Sequence, residues 1–312
     1  MPTPAPKSKL RAVLGVVARL VVTGLVFGFL FSRIDVQAVG QSVTRIPVAA
    51  AVASVVSLLV ALLISVVRWR GLLAAAGAQS LPSWVEACRL YLVGMFYNLL
   101  PGAVGGDVYR GYAARHCFDG TDTTRSVSVV FVERVCGFAG LLVLAALATL
   151  ATPIRNPLVL AYSGAGLLAA LGAVVALTVG RRLSGKLPAR LGRIAASLPA
   201  IEAGPLLLAL ALSVVTHVAV SMTGYTVLAS LAPHVTFAQG MAVFPLGTLA
   251  AYFPLTVAGA GARDTALVVL LAEVGVSRED ALATSLSMLA CNLLVSGMGG
   301  LVQRGKSTAL HG

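Results

Sequence analysis

Long apolar runs broken by short polar loops dominate this chain. Runs long enough to cross a bilayer lie at 12–31, 46–67, 126–149, 158–179, 205–232 and 280–302, which makes six full spans. Two further apolar segments, 84–100 and 237–253, end in Pro/Gly-rich breaks and resume as shorter helical stretches at about 107–118 and 264–274. Each pair reads either as a re-entrant hairpin or as two spans. The predicted fold class is an all-α polytopic membrane protein of about eight helices, counting two Pro/Gly-broken re-entrant hairpins as elements of an inverted repeat. The expected organisation is an N-terminal tail (1–11), one transmembrane domain (12–303) and a C-terminal tail (304–312).

The two breaks are near copies of each other. The first runs Leu100-Pro101-Gly102-Ala103-Val104-Gly105-Gly106-Asp107-Val108-Tyr109-Arg110, and the second runs Phe253-Pro254-Leu255-Thr256-Val257-Ala258-Gly259-Ala260-Gly261-Ala262-Arg263-Asp264. Pro101 matches Pro254, Val104 matches Val257, Gly106 matches Gly259 and Arg110 matches Arg263, all at one constant offset of 153 positions. An odd number of crossings separates the breaks whether the hairpins are re-entrant or spanning, so the two motifs enter from opposite faces. Interrupted helices related in this way are a recurring construction of carriers that expose one site alternately to each side. The expected repeats are about 46–149 and 205–303.

Composition agrees with the pattern: 58% of residues are hydrophobic, 11% are charged and the mean hydropathy is +0.93. Soluble domains carry about 25% charged residues, so a soluble globule is excluded. The first run is too long for a removable signal peptide and is expected to remain as a span. The net charge of +12 raises nucleic acid as a partner, but the basic residues sit in short loops, where they act as orientation signals. With Lys7, Lys9 and Arg11 in the cytoplasm, the inner loops collect Arg68, Arg70, Arg115, Arg125, Arg181, Arg182, Lys186, Arg190, Arg193, Arg304 and Lys306. The outer loops keep Arg33, Arg45, Arg155 and Arg278. That asymmetry follows the positive-inside rule and predicts a cytoplasmic N-terminus, and the chain is expected in the inner membrane. Cys88, Cys117, Cys136 and Cys291 are scattered and form neither a disulfide framework nor a zinc site.

Charged residues inside the apolar segments carry the candidate chemistry. An ionised side chain at the centre of a membrane helix costs roughly 2.5–3.5 kcal/mol, so Asp107, Arg110, Glu133, Arg134, Arg263 and Asp264 must pair, line a wet cavity or meet a charged ligand. Asp107 and Arg110 share a helix face, whereas the adjacent Glu133 and Arg134 diverge. One exchange that satisfies all four pairs Asp107 with Arg134 and Glu133 with Arg110. Such a network either anchors the hairpin or forms a site where at least one arginine meets substrate. Arginine suits phosphate or carboxylate, and Gly105, Gly106, Gly259 and Gly261 leave backbone N–H groups bare where a short helix begins. The implied ligand is an anionic group, most simply a membrane lipid's phosphate, with Arg110 and Arg263 expected to bind the headgroup from opposite leaflets and Asp107, Glu133, Arg134 and Asp264 to set their charge and position. Asn98 and the flanking Tyr97 and Tyr109 are headgroup candidates, although interfacial tyrosines are ordinarily anchors. His217 is expected to bond a neighbouring helix. No nucleophile elbow, Walker loop or metalloprotease motif is present, so pumping would need an ion gradient or a partner, and no cofactor or metal is expected. A membrane-embedded transferase or hydrolase using Asp107 or Glu133 ranks last, with no recognised constellation behind it.

The run from Asn98 to Arg110, the Glu133-Arg134 pair and the Pro254 to Arg263 segment resemble the membrane domain of lysylphosphatidylglycerol synthases and its stand-alone, flippase-like relatives. The likeness extends from about residue 10 to 303. Asp264 stands where the family pattern leads one to expect Glu. In two-domain members the membrane region is implicated in moving aminoacylated lipid between leaflets, while a soluble domain transfers the amino acid. That second domain is not found in this sequence, so the resemblance implies the translocation role alone: a flippase-like carrier of an anionic or zwitterionic lipid or lipid-linked headgroup. The alternative is a non-transporting accessory membrane protein that partners a lipid-modifying enzyme or glycosyltransferase.

Overall fold

The computed structural model describes residues 21–22, 24–25, 28, 32, 34–99, 105–152, 157–179, 198–251 and 261–308. Within them the chain is all-helical. In order, the α-helices are α1 (Val36–Thr44), α2 (Val48–Ala75), α3 (Trp84–Asn98), α4 (Gly105–Ala113), α5 (Thr123–Leu150), α6 (Pro157–Val179), α7 (Ala203–Leu231), α8 (Phe237–Ala251), α9 (Ala262–Ala272) and α10 (Arg278–Thr308). Four of them, α2, α5, α7 and α10 as far as Gln303, are long and apolar enough to cross a membrane. The chain is therefore a polytopic helical membrane protein. The predicted first span at 12–31, the Pro101 and Pro254 breaks and Gly259 fall outside the described residues, or nearly so.

Local sequence sets the helix ends. Ser83 caps α3 by accepting from Glu86 N at 3.2 Å, and Asp122 caps α5 by accepting from Arg125 N at 2.9 Å. Ahead of α8, Gln239 N donates to Thr236 Oγ1 while Thr236 N donates to Gln239 Oε1, a reciprocal pair that fixes the helix start. Two helices stop on glycines in the left-handed region. Gly77 has φ +82° and closes α2, with Ala78 N bonding back to Leu73 O at 3.1 Å; Gly275 has φ +81° and closes α9, with Val276 N reaching Leu271 O at 3.1 Å. Both have the six-to-one bond that satisfies terminal carbonyls.

The helix lengths repeat. Helices α2 to α5 have 28, 15, 9 and 28 residues, and α7 to α10 have 29, 15, 11 and 31. Packing is reciprocal between the two sets. The first members, α2 and α7, lie against each other; α3 packs on α10 as α8 packs on α5; and α2 meets α10 as α7 meets α5. Two apolar cores form, each centred on one set, the first also taking in Leu206 and Ala209 of α7. One gathers Trp69, Leu72, Leu73, Leu90, Val129 and Val132, the other Leu228, Phe244, Leu267, Leu271 and Leu282. The outer ends of α3 and α4 lie side by side, because Gln79 N, ahead of α3, donates to Cys117 O, beyond α4, at 2.8 Å. The ends of α8 and α9 likewise share a core through Val235, Leu271 and Val276. At about 22 Å for α3 and α8, and about 14 and 16 Å for α4 and α9, none of the four alone matches a hydrocarbon core of about 30 Å.

Some expectations need correction. Arg68 and Arg70 are not in a loop after a span ending at 67. Helix α2 continues to Ala75, Arg68 is buried within it, and Arg70 lies 4.1 Å from the Trp84 ring. The stretch expected to be helical over 107–118 is an α-helix only to Ala113, followed by tight turns at Ala114–Cys117 and Asp119–Thr121. Helix α1 has no counterpart among the predicted elements. It is capped by Asp35, which accepts from Gln37 N at 2.8 Å, and it is held near α10 by an Arg45–Asp280 ion pair of 2.5 Å.

Candidate functional site

Glu133, on α5, is the hub of a polar network deep in the bundle. Its carboxylate accepts from Arg68 Nη2 of α2 at 3.0 Å through Oε1 and from Arg110 Nη1 of α4 at 3.0 Å through Oε2. The Tyr91 hydroxyl of α3 also donates to Oε1. Arg68 extends the network to α7 by donating from Nη1 to Ser213 Oγ at 2.8 Å. Four helices thus meet at one carboxylate, and α7 joins through Arg68. Arg110 also lies against two rings, with its guanidinium 4.0 Å from the Tyr91 ring centre and 5.3 Å from that of Trp69. Cations stack favourably on aromatic faces in this way.

Asp107 carries the network outward. Its Oδ1 accepts from Arg110 Nη2 at 3.1 Å and from Arg134 Nη2 at 2.7 Å. Both halves of the exchange expected from sequence, Asp107 with Arg134 and Glu133 with Arg110, are present. Exposure then separates the members: Arg68, Arg110 and Glu133 are buried, but the Arg134 side chain is 46% exposed. Three arginines against two carboxylates leave these five side chains with a formal charge of +1. Arg134 lies about 17 Å along a helix about 42 Å long. Its face of α5 also carries the exposed Val127 and Phe131, and α4 exposes Val108 and Tyr112.

The glycine breaks behave differently from the bare anion cradles expected of them. The Asn98 side chain reaches across the first break and accepts from Gly106 N at 2.9 Å. A Cβ on Gly106 would collide with Gly94 O and Asn98 Oδ1, so glycine there permits close packing of α4 on α3. Gly105 is exposed at the start of α4. At the second break the Asp264 side chain turns back to accept from Gly261 N at 2.7 Å. Asp264 is fully buried, and it also accepts from Arg263 Nη2 at 2.9 Å and from the Ser285 hydroxyl of α10. Arg263 donates in addition to Ser285 O at 3.2 Å. The Gly106 and Gly261 N–H groups are therefore already satisfied by side chains of their own motifs. The second break holds a neutral ion pair where the first holds a larger, positively charged network.

Other sequence candidates fall into structural roles. Tyr109 donates to Gln303 Oε1 at 3.3 Å and its ring lies 5.2 Å from that of Tyr97, so it ties α4 to α10 inside the bundle. His217 Nε2 bonds Gly137 O at 3.0 Å, as expected of a buried histidine bridging helices. Among the described residues no group of His, Cys, Asp and Glu could hold a metal. Sequence reasoning missed Arg68, Tyr91 and Ser213. Arg68 was masked by its position just past an apolar window, although Leu72 and Leu73 beyond it signal that the helix continues.

No curated protein matches the chain. The family model for the lysylphosphatidylglycerol synthase transmembrane region matches residues 16–299, a stretch that holds every member of both charged clusters. A bundle of this kind, with that match over nearly its whole length, belongs to the lysylphosphatidylglycerol synthase transmembrane-region family.

Proposed function

We propose that this chain moves a lipid with a phosphate-bearing headgroup between leaflets of the cytoplasmic membrane, and that it does so as a carrier rather than as an enzyme. One observation carries the reading: a positively charged cluster of five ionised side chains lies inside an apolar bundle, and only Arg134 among them is largely exposed. A membrane protein retains such groups at a cost of several kcal/mol when they serve a polar pathway. Family membership supports lipid handling as the setting.

The matched helix lengths and reciprocal packing support a reading of α2–α5 and α7–α10 as inverted repeats, with α3/α4 and α8/α9 as re-entrant hairpins from opposite faces. In that arrangement the Glu133 network faces the cytoplasmic half and the Arg263–Asp264 pair the outer half. Burial alters the roles expected from sequence. Arg110 is saturated by Glu133 and Asp107 and positions the site, while Arg134 presents the guanidinium that meets the headgroup. The Arg263–Asp264 pair serves the second position.

Mass spectrometry of lipids retained by gently purified protein tests this. Wild type should be enriched in one phosphate-bearing lipid class relative to the bulk membrane, and Arg134→Ala should lose that enrichment while staying folded. A profile equal to bulk membrane in both proteins would contradict the proposal.

A further inference from the structure

The geometry points to Asp107 as a built-in stand-in for the ligand's phosphate, occupying the arginine fork until a lipid phosphate displaces it. This inference rests on the proposed lipid-binding role and names its ligand chemistry: a phosphate monoanion approaching sideways, between α4 and α5. A single oxygen, Asp107 Oδ1, accepts from both Arg110 Nη2 at 3.1 Å and Arg134 Nη2 at 2.7 Å. Two guanidinium groups converging on one anionic oxygen is the arrangement that binds a non-bridging phosphate oxygen. Arg110 is held in place, since Glu133 accepts from its Nη1 at 3.0 Å and the Tyr91 and Trp69 ring centres lie 4.0 and 5.3 Å from its guanidinium. Asp107 and Arg134 are the outer members, with side chains 15% and 46% exposed against 4% for Arg110. Displacement therefore needs only the outermost carboxylate to swing aside.

The surroundings suit a lipid better than a free ion. Val127, Phe131 and Arg134 share one face of α5, at spacings of four and three residues. Val108 on α4 is exposed like Val127 and Phe131, as is Tyr112, whose ring lies 3.7 Å from the Arg115 guanidinium. A phosphate held by Arg134 would thus leave its acyl chains against apolar surface. A phosphate monoanion also brings the five side chains from a formal charge of +1 to neutrality, since the displaced Asp107 carboxylate stays in the chain. The bound lipid thus compensates a positive cluster in a low-dielectric bundle, where uncompensated charge is costly.

Placeholder and structural anchor predict opposite signs when the carboxylate is removed. Phosphatidylglycerol is titrated into detergent micelles containing the purified full chain, and bound lipid is counted by native mass spectrometry. Asp107→Asn and Asp107→Ser should each bind it about tenfold more tightly than wild type, and Arg134→Gln about tenfold more weakly; tenfold corresponds to about 1.4 kcal/mol. The double variant D107N/R134Q should fall back to the R134Q value, and diacylglycerol, which lacks phosphate, should bind none of them measurably. Displacement of bound phosphatidylglycerol by millimolar inorganic phosphate would assign the fork to the phosphate group alone; resistance to it would assign the fork to the intact lipid. Equal or weaker binding by both folded Asp107 variants would overturn the placeholder, as would diacylglycerol binding as tightly as phosphatidylglycerol. Failure of the transport reading is separable: Asp107 variants that bind more tightly, in a protein whose wild type moves no lipid, would leave the site standing and remove only translocation.

Discussion

Replacing Glu133 by Gln keeps the shape of the hub and removes its charge. Two arginine contacts at 3.0 Å depend on that charge. With an effective dielectric constant of about 20, each contact has a Coulomb attraction of about 5 kcal/mol, most of which offsets the desolvation of the ions. What remains when one partner of a buried pair is lost is about 3–5 kcal/mol, because the surviving charges stay buried without a counterion. In this cluster the formal charge would rise from +1 to +2, with Arg68 and Arg110 both affected. Arg134→Ala removes a side chain that is 46% exposed, and exposed ion pairs contribute only about 0–1 kcal/mol. Unfolding in mixed micelles with rising sodium dodecyl sulfate, followed by far-ultraviolet circular dichroism, measures both. The midpoint for E133Q should fall well below wild type, reflecting about a thousandfold change in the folding equilibrium, while R134A stays close to wild type. An E133Q protein within about 1 kcal/mol of wild type would refute the buried-hub argument, as would an R134A protein as unstable as E133Q.

Three more changes probe the framework. Asp264→Ala removes the acceptor for Gly261 N, Arg263 and Ser285 together, and should cost about 3–5 kcal/mol in the same unfolding assay. Asn98→Ala should cost about 1 kcal/mol through loss of the Gly106 N–H bond at 2.9 Å, without altering retained lipid. Gly299→Ala drives a methyl into Leu92 O, where α10 meets α3; it should destabilise by about 1–3 kcal/mol, whereas Gly297→Ala, which faces open space, should be silent.

The long apolar runs made the spanning helices legible, since a bilayer leaves little choice but a helix for a long apolar stretch. Their ends were less so: Arg68 and Arg70 interrupt the apolar signal of α2, yet Leu72 and Leu73 carry the helix on to Ala75. Helix α1 is nine residues long, too short for a spanning window, and only Asp35 before Val36 marks its start. Within the site, charge economy was enough to pair Asp107 with Arg134 and Glu133 with Arg110, because few partners exist inside an apolar bundle. It gave no hint that Tyr91 and Ser213 complete the shell, since hydroxyls are common in membrane helices and only packing brings these two to Glu133 and Arg68. The glycine breaks showed where chain direction changes. Whether their N–H groups face a ligand depended on Asn98 and Asp264, residues of the same motifs that fold back on them.

Leaflet exchange tests the central claim most directly. Proteoliposomes with fluorescently labelled phosphatidylglycerol in both leaflets are exposed to a membrane-impermeant quencher, with wild type, R134A and protein-free vesicles side by side. Lipid translocation through the Glu133–Arg134 network predicts that wild-type vesicles lose inner-leaflet fluorescence as well, while R134A vesicles, with the protein folded and inserted, match the protein-free control. Wild-type vesicles that quench no further than protein-free ones, or R134A vesicles that quench as fast as wild type, would contradict it.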